Sequence, residues 1–319
     1  MPLPPLIASP IRRRWAGIVF LVPVSLASFA ACATASTPAG AGGPLPVVAA
    51  ENVWGDLAAT LGGDRVTVHT IIDSPAADPH DYEPGAADAR AIASARILID
   101  NGLGYDPWAT KLAAANPVPG RIELTVGQIA GVGAGGNPHQ WYSPTSVRAV
   151  VDAITETYQK LDPARASYFA SRRDALLDTG LAPYLALIGT IKARYAGTPI
   201  GASESIVTPL AHALGLELVT PPTFLRAVSE GTDPTAQDKA AIDEQIAGRR
   251  IAVYVYNSQN ATPDVRAQVA AATAAGIPVV TITETPTPAD TSFQDWQTRQ
   301  LTALEQALAL ARGTGGARP

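Results

Sequence analysis

PARASYFASRRDALLDTGLAPYLALIGTIKARY, Pro163–Tyr195, holds hardly a residue that would interrupt a helix, and its reading decides the fold. Pro163 suits a first-turn position, where a missing N–H costs nothing, and Gly180 and Pro183 mark the places where irregularity is expected. At about 1.5 Å per residue such a helix would run on the order of 45 Å, long enough to cross a whole domain. On either side the pattern changes to short apolar strands alternating with helices. Before it come strands at Leu45–Ala50, Arg65–Ile72, Arg96–Asp100 and Arg121–Thr125, with a helix from Ser143 to Leu161 closing the series. After it come strands at Pro199–Ala202, Leu216–Thr220, Arg250–Tyr256 and Ile277–Thr283, and a last helix over Phe293–Ala311. Strands that alternate with helices imply parallel sheets. The expectation is an α/β protein: two α/β lobes with parallel sheets joined by one long linker helix. The first lobe spans residues 46–161, the linker 162–195 and the second lobe 196–319.

The composition suits a globular chain, with 47% hydrophobic and 16% charged residues among 319. A net charge of −5 leaves no basic footprint, which excludes nucleic acid as a partner. Cys32 is the single cysteine, so neither an internal disulfide nor a thiolate cage can form. Arg12, Arg13 and Arg14 precede an apolar run from Trp15 to Ala31, and small residues lead into Cys32. That order describes a secretory signal over residues 1–32. It also resembles a bacterial lipobox, with Phe29 where an aliphatic residue is usual. Lipidated Cys32 would then anchor the chain to the cell membrane on its extracytoplasmic side. Residues 33–45, rich in Ala, Ser, Thr, Gly and Pro, read as a flexible tether.

Four loops after predicted strands carry metal-ligand chemistry, and ligands of open α/β sheets bind beyond the carboxyl ends of strands. DPHDYEP, Asp78–Pro84, presents His80, and NPHQWYSP, Asn137–Pro144, presents His139; in each a proline stiffens the backbone beside an imidazole. GASESIV, Gly201–Val207, holds Glu204, and TITETPTP, Thr281–Pro288, holds Glu284. Taken singly, Glu204 reads equally as a first-turn acid on a helix dipole, and Glu284 as a solvated loop carboxylate. Two imidazoles and two carboxylates together would make a closed four-ligand site and neutralise a divalent cation. His69 within a strand and His212 within a helix read as structural or exposed. Asp81, Glu83, Glu230 and Asp233 read as solvated or supporting acids.

With these residues in view, the chain resembles the metal-specific class of ABC-transporter solute-binding proteins, the zinc/manganese cluster A-I family, from about Val47 to Leu310. DPHDYEP is similar to that family's first histidine loop, NPHQWYSP to its second, and DPARASYF, Asp162–Phe169, to the start of its linking helix. Counting back from Gly215-Leu216 puts the third ligand at Glu204, where many zinc importers have His and many manganese-type ones Glu. The fourth ligand, usually Asp, falls at Glu284, one methylene longer. The His- and acid-rich loop of many zinc members is missing from the segment Leu103–Ala134. The resemblance implies capture of zinc or manganese by His80, His139, Glu204 and Glu284, and delivery by a monomer to a membrane permease. Two other readings stand beside it. A secreted metal-dependent enzyme would keep one coordination position open for water, and the sequence shows neither HExxH nor a Gly-x-Ser-x-Gly elbow. A surface adhesin or organic-solute receptor could use the same fold, but its pocket would need an apolar lining.

Overall fold

Leu45–Glu51 (β1) is apolar on both faces and forms the buried centre of the first sheet. The computed structural model describes residues 43–74 and 82–313. The signal segment, Cys32, most of the tether and His80 lie outside them. From β1 the chain enters Asn52–Gly62 (α1), which buries Val53, Trp54, Leu57, Ala58 and Leu61 at helical spacing. Val66–Ile72 (β2), Ala86–Ser94 (α2), Ile97–Asp100 (β3), Pro107–Ala115 (α3), Ile122–Thr125 (β4) and the single turn Val126–Ile129 (α4) complete the alternation. All pairings are parallel in the order β2-β1-β3-β4, with Val48 opposite His69 on one side and Leu98 on the other.

Pro144–Leu161 (α5) starts where Ser143 Oγ accepts a hydrogen bond from Ser146 N and Pro144 takes the first position. Ala166–Ala175 (α6) and Ala182–Tyr195 (α7) follow. The sequence led us to expect one continuous helix here. The run stays helical but widens into a π-type turn over Leu176–Gly180, where Leu181 N bonds Leu176 O at 2.7 Å, five residues back. Pro183 supplies the physical reason. It has no N–H to give and its ring crowds the carbonyl four residues earlier, so the preceding turn opens to make room.

Pro199–Ala202 (β5), Thr208–Leu214 (α8), Glu217–Leu218 (β6), Pro222–Ser229 (α9), Ala236–Ala247 (α10), Val253–Asn257 (β7), Pro263–Ala274 (α11), Val279–Ile282 (β8) and Phe293–Gly313 (α12) build the second lobe. Its strand order, β6-β5-β7-β8, repeats that of the first sheet, again all parallel. Gly215 ends α8 at φ 67, a left-handed position that glycine takes without strain. Thr262 Oγ1 caps α11 by accepting from Val265 N, with Pro263 next in line. The sequence reading missed α9, taking the segment after Thr220 as loop.

The two lobes share one apolar core. A continuous cluster of buried side chains runs from Val47 and Ile99 of the first sheet through Trp141, Tyr142 and Tyr184 to Phe293, Trp296 and Val253 of the second. Residues 42–319 accordingly form one compact unit rather than two. Smaller clusters cover the far face of each sheet, around Leu98 and Trp108 in one and Phe224 and Tyr254 in the other. None of the described helices is long and apolar enough to cross a membrane.

Candidate metal centre

In each sheet the strand order reverses between two central strands, β1 and β3 in the first, β5 and β7 in the second. Loops leaving the carboxyl ends of those strands diverge and leave a crevice. The polar residues that the two lobes bury gather at these ends.

His139 lies in the loop before α5 and is fully buried. Its ring sits edge-on to Trp141, with centroids 5.2 Å apart, and 5.9 Å from Tyr105. Asn137 Oδ1 accepts from His139 N at 2.9 Å and lies 3.0 Å from His139 Nδ1, while Asn137 Nδ2 donates to Ser205 O across the cleft at 2.7 Å. An oxygen that already accepts one N–H must accept the imidazole proton too. Nδ1 therefore carries the hydrogen and the ring's lone pair falls on Nε2, as a metal-binding imidazole requires. The loop is held from behind by Asn101, which donates to Pro138 O at 2.9 Å and accepts from Trp54 Nε1 at 3.0 Å.

Glu204 follows β5 in extended conformation just before a short turn, and only 1% of it is exposed. Its Oε2 accepts from Asn260 Nδ2 at 3.0 Å and, more weakly, from Ser229 Oγ at 3.4 Å. Its Oε1 accepts no well-formed hydrogen bond, although the Asn257 amide lies near enough to ease its charge. Burial, and then the nearby Glu284 carboxylate, push the Glu204 carboxyl up to about 8.

Glu284 follows β8 and is also buried. Asn257 Nδ2 donates to its Oε1 at 2.9 Å, and Tyr105 Oη, from the other lobe, donates to its Oε2 at 2.7 Å. The loop is pinned from several directions. Gln259 Oε1 accepts from Glu284 N at 2.6 Å, and Tyr142 Oη donates to Thr283 O at 2.8 Å. Trp296 Nε1 donates to Thr283 Oγ1 at 2.8 Å. Two acids, each following a strand of the second sheet, are thus buried near enough to repel one another, an arrangement that a cation relieves and that an apolar ligand would not.

Of the four expected ligands, the structure brings Glu204 and Glu284 near enough to repel one another, and packs the His139 ring against Tyr105, which bonds Glu284. Among the described residues no three His, Cys, Asp or Glu side chains close around one point. Tyr105 touches both sides, its ring packed against His139 and its hydroxyl bonded to Glu284. His69, His212, Glu230 and Asp233 are exposed.

Sequence reasoning missed Tyr105, Asn257, Asn260 and a buried acid cluster in the first lobe. Asn257 and Asn260 lie in YNSQN, where Asn257 ends β7 and Asn260 follows it, and their position at a strand end was the available signal. Glu51, the last residue of the apolar strand β1, is 2% exposed, and its carboxyl is raised well above the usual range by burial and by Asp106 and Asp100 beside it. Its own oxygens meet no ordinary donor, so what Glu51 and Asp106 can share is a proton. Asp106 in turn accepts from Asn101 N at 2.6 Å and Gly102 N at 2.7 Å, fixing the turn that carries Tyr105.

Comparison with known proteins agrees with this geometry. The iron-binding protein YfeA of Yersinia pestis is 28% identical over 174 residues, covering 50% of this chain and 53% of that one. The manganese-binding lipoprotein MntA of Halalkalibacterium halodurans is 27% identical over 136 residues, covering 42% and 45%. The matched stretch thus spans about half the length of these relatives. A periplasmic metal-binding protein from Candidatus Liberibacter asiaticus has the same fold, with a TM-score of 0.68 at 21% identity over 82% of this chain and 98% of that one. The family described as ZnuA, zinc-uptake complex component A, periplasmic, matches residues 47–307. Its members are transport substrate-binding proteins, not enzymes. A match over nearly all the described residues, on a fold with two like parallel sheets and acids buried between them, places the chain in the periplasmic zinc-uptake component A family.

Proposed function

We propose that the chain captures a divalent transition-metal ion, zinc or manganese, outside the cytoplasm and hands it to the permease of an ABC importer. The ligands are His80 and His139 from the first lobe and Glu204 and Glu284 from the second. Lipidated Cys32 keeps the monomer at the membrane surface. The observation that carries this reading is the buried pair Glu204 and Glu284, one oxygen of which lacks a well-formed donor. Two carboxylates and an imidazole with its lone pair on Nε2 are the donors that zinc and manganese both accept. The metal displaces the Tyr105 hydroxyl from Glu284 as it enters, and the four protein ligands leave no position for a reactive water. MntA, named as a manganese-binding lipoprotein, and the ABC-transporter lipoproteins of streptococci lend the importer and the anchor their support.

Elemental analysis of the purified protein, followed by competitive zinc and manganese titration of wild type and Glu204→Gln, tests the reading. Removing the charge of one buried ligand should cost about 2–5 kcal/mol, on the order of 30- to 5000-fold in affinity. Unchanged affinity would remove the second lobe from the site. Full membrane retention of Cys32→Ser would reject the anchor.

A further inference from the structure

Beside the acid pair, between the lobes, lies a cavity of about 530 Å³. That volume is more than ten times the roughly 30 Å³ share of one water, and it falls in the ~300–1,000 Å³ range of sites for small organic molecules. A single metal ion gives no reason for it.

The second-lobe wall is one face of α9. Pro222, Leu225, Arg226 and Ser229 recur at helical spacing and all line the space, with Leu218 of β6 beside them. The first lobe contributes Leu103 and a wall made largely of glycine, Gly104, Gly135 and Gly136. Gly104 and Gly135 sit at φ 81 and 76, where other side chains are strained, so the backbone itself keeps this wall bare. Arg226 is the cation of the lining and Glu230, one turn further on, its carboxylate; both are exposed, and among the described residues the Arg226 guanidinium has neither an ion pair with Glu230 or any other acid nor a hydrogen bond. Leucines and a proline around one unpaired guanidinium suit a molecule with an apolar body and a carboxylate, which a guanidinium grips with two parallel hydrogen bonds.

We propose that this cavity binds a small amphipathic organic anion, a carboxylate carrying an aromatic or aliphatic group of about the size that such sites enclose. Arg226 holds the carboxylate, and Leu103, Leu218 and Leu225 hold the body. None of these residues is among the metal ligands, so the assignment stands apart from the metal reading. The two sites nevertheless share walls. Asn137 lines the cavity and orients His139, and Ser229 lines it and bonds Glu204. Occupancy of one site therefore changes affinity at the other, reciprocally.

The test uses 2-naphthoate as the probe and the full-length protein, with and without zinc. Saturable one-to-one binding at sub-millimolar concentration is expected, weakened at least ~10-fold in Arg226→Gln, as for loss of a charge-assisted pair, and abolished in Thr208→Trp, which fills the cavity. Zinc affinity measured in both variants without the probe should stay near wild type, showing that each is folded. The neutral 2-naphthamide should bind distinctly more weakly than the acid. No saturation at millimolar concentration, equal binding of acid and amide, or unchanged binding in both variants would overturn the proposal. Naphthoate binding by a protein that retains no metal would overturn the metal reading and leave this one standing.

Discussion

The two lobes share a strand order and differ in what they do with their acids. In the first, Glu51, Asp100 and Asp106 are buried beside the turn that carries Tyr105; burial raises all three toward the protonated form, and for Glu51 and Asp100 the charge of Asp106 adds to it. The rim that lobe offers the cleft is aromatic, with His139 set among Trp141 and Tyr105. In the second, Glu204 and Glu284 point at the cleft, and Asn257, Asn260 and Ser229 hold them with neutral donors. Topology fixes where the loops emerge, and the side chains at the strand ends decide whether a carboxylate becomes a brace or a ligand.

The largest expected effect comes from breaking what the lobes have in common. Trp296 is buried in the shared core and bonds Thr283, so Trp296→Ala should cost about 3–5 kcal/mol. Calorimetry should show one transition at lower temperature. Two separated transitions would mean that the lobes fold independently.

Severing the link between the two rims comes next. Tyr105→Phe removes a hydrogen bond to a carboxylate, of about 1.5–3 kcal/mol, that the metal must displace. The metal-free variant should melt several degrees lower and bind zinc severalfold more tightly in competitive titration. Weaker binding would instead make the hydroxyl a support of the loaded site.

A smaller effect is expected from the neutral donors of the second lobe. Asn260→Ala leaves Glu204 with fewer groups to stabilise its charge, and zinc affinity should fall by roughly the worth of one hydrogen bond, about 1 kcal/mol. An equal loss in Asn260→Asp and Asn260→Ala would point to packing rather than to the amide.

The smallest effect probes the first lobe's braces. Burial and Asp106 raise Asp100 from 3.8 to about 7. The folded state therefore binds a proton that the unfolded state releases across that window, and stability falls as pH rises through it. Asp100→Asn, which can still accept from Thr125, should flatten this fall by at most about 1.4 kcal/mol per pH unit. Urea melts at pH 5 and pH 7.5 read the slope directly, and an unchanged slope would place the proton elsewhere.

Much of this contrast was legible in the chain. Strands such as Pro199–Ala202 announced themselves as short apolar runs between breakers, and their alternation with helices fixed both sheets as parallel. Glu204 and Glu284 were singled out because each follows such a run. Three features were not legible, for separate physical reasons. The short helix α9 begins within Pro221-Pro222, a pair that reads as a turn, and follows a strand of just two residues. The widened turn at Leu176–Gly180 depends on how the chain accommodates Pro183, which sequence could mark but not resolve. Tyr105 and Glu284 are separated by 179 positions, and no local pattern ties a hydroxyl in one lobe to a carboxylate in the other.

The unbroken core has one further consequence. Swinging the sheets apart would wet Trp141, Phe293 and Trp296, and fully burying an aromatic of that kind is worth at least about 1.5–3 kcal/mol each. If the chain carries a metal as proposed, such a swing would forfeit that burial in the empty and the loaded form alike. Under the proposed function, a permease would then have to read a loaded molecule along the lip of the crevice, by which side chains have turned, rather than by a swing of the lobes.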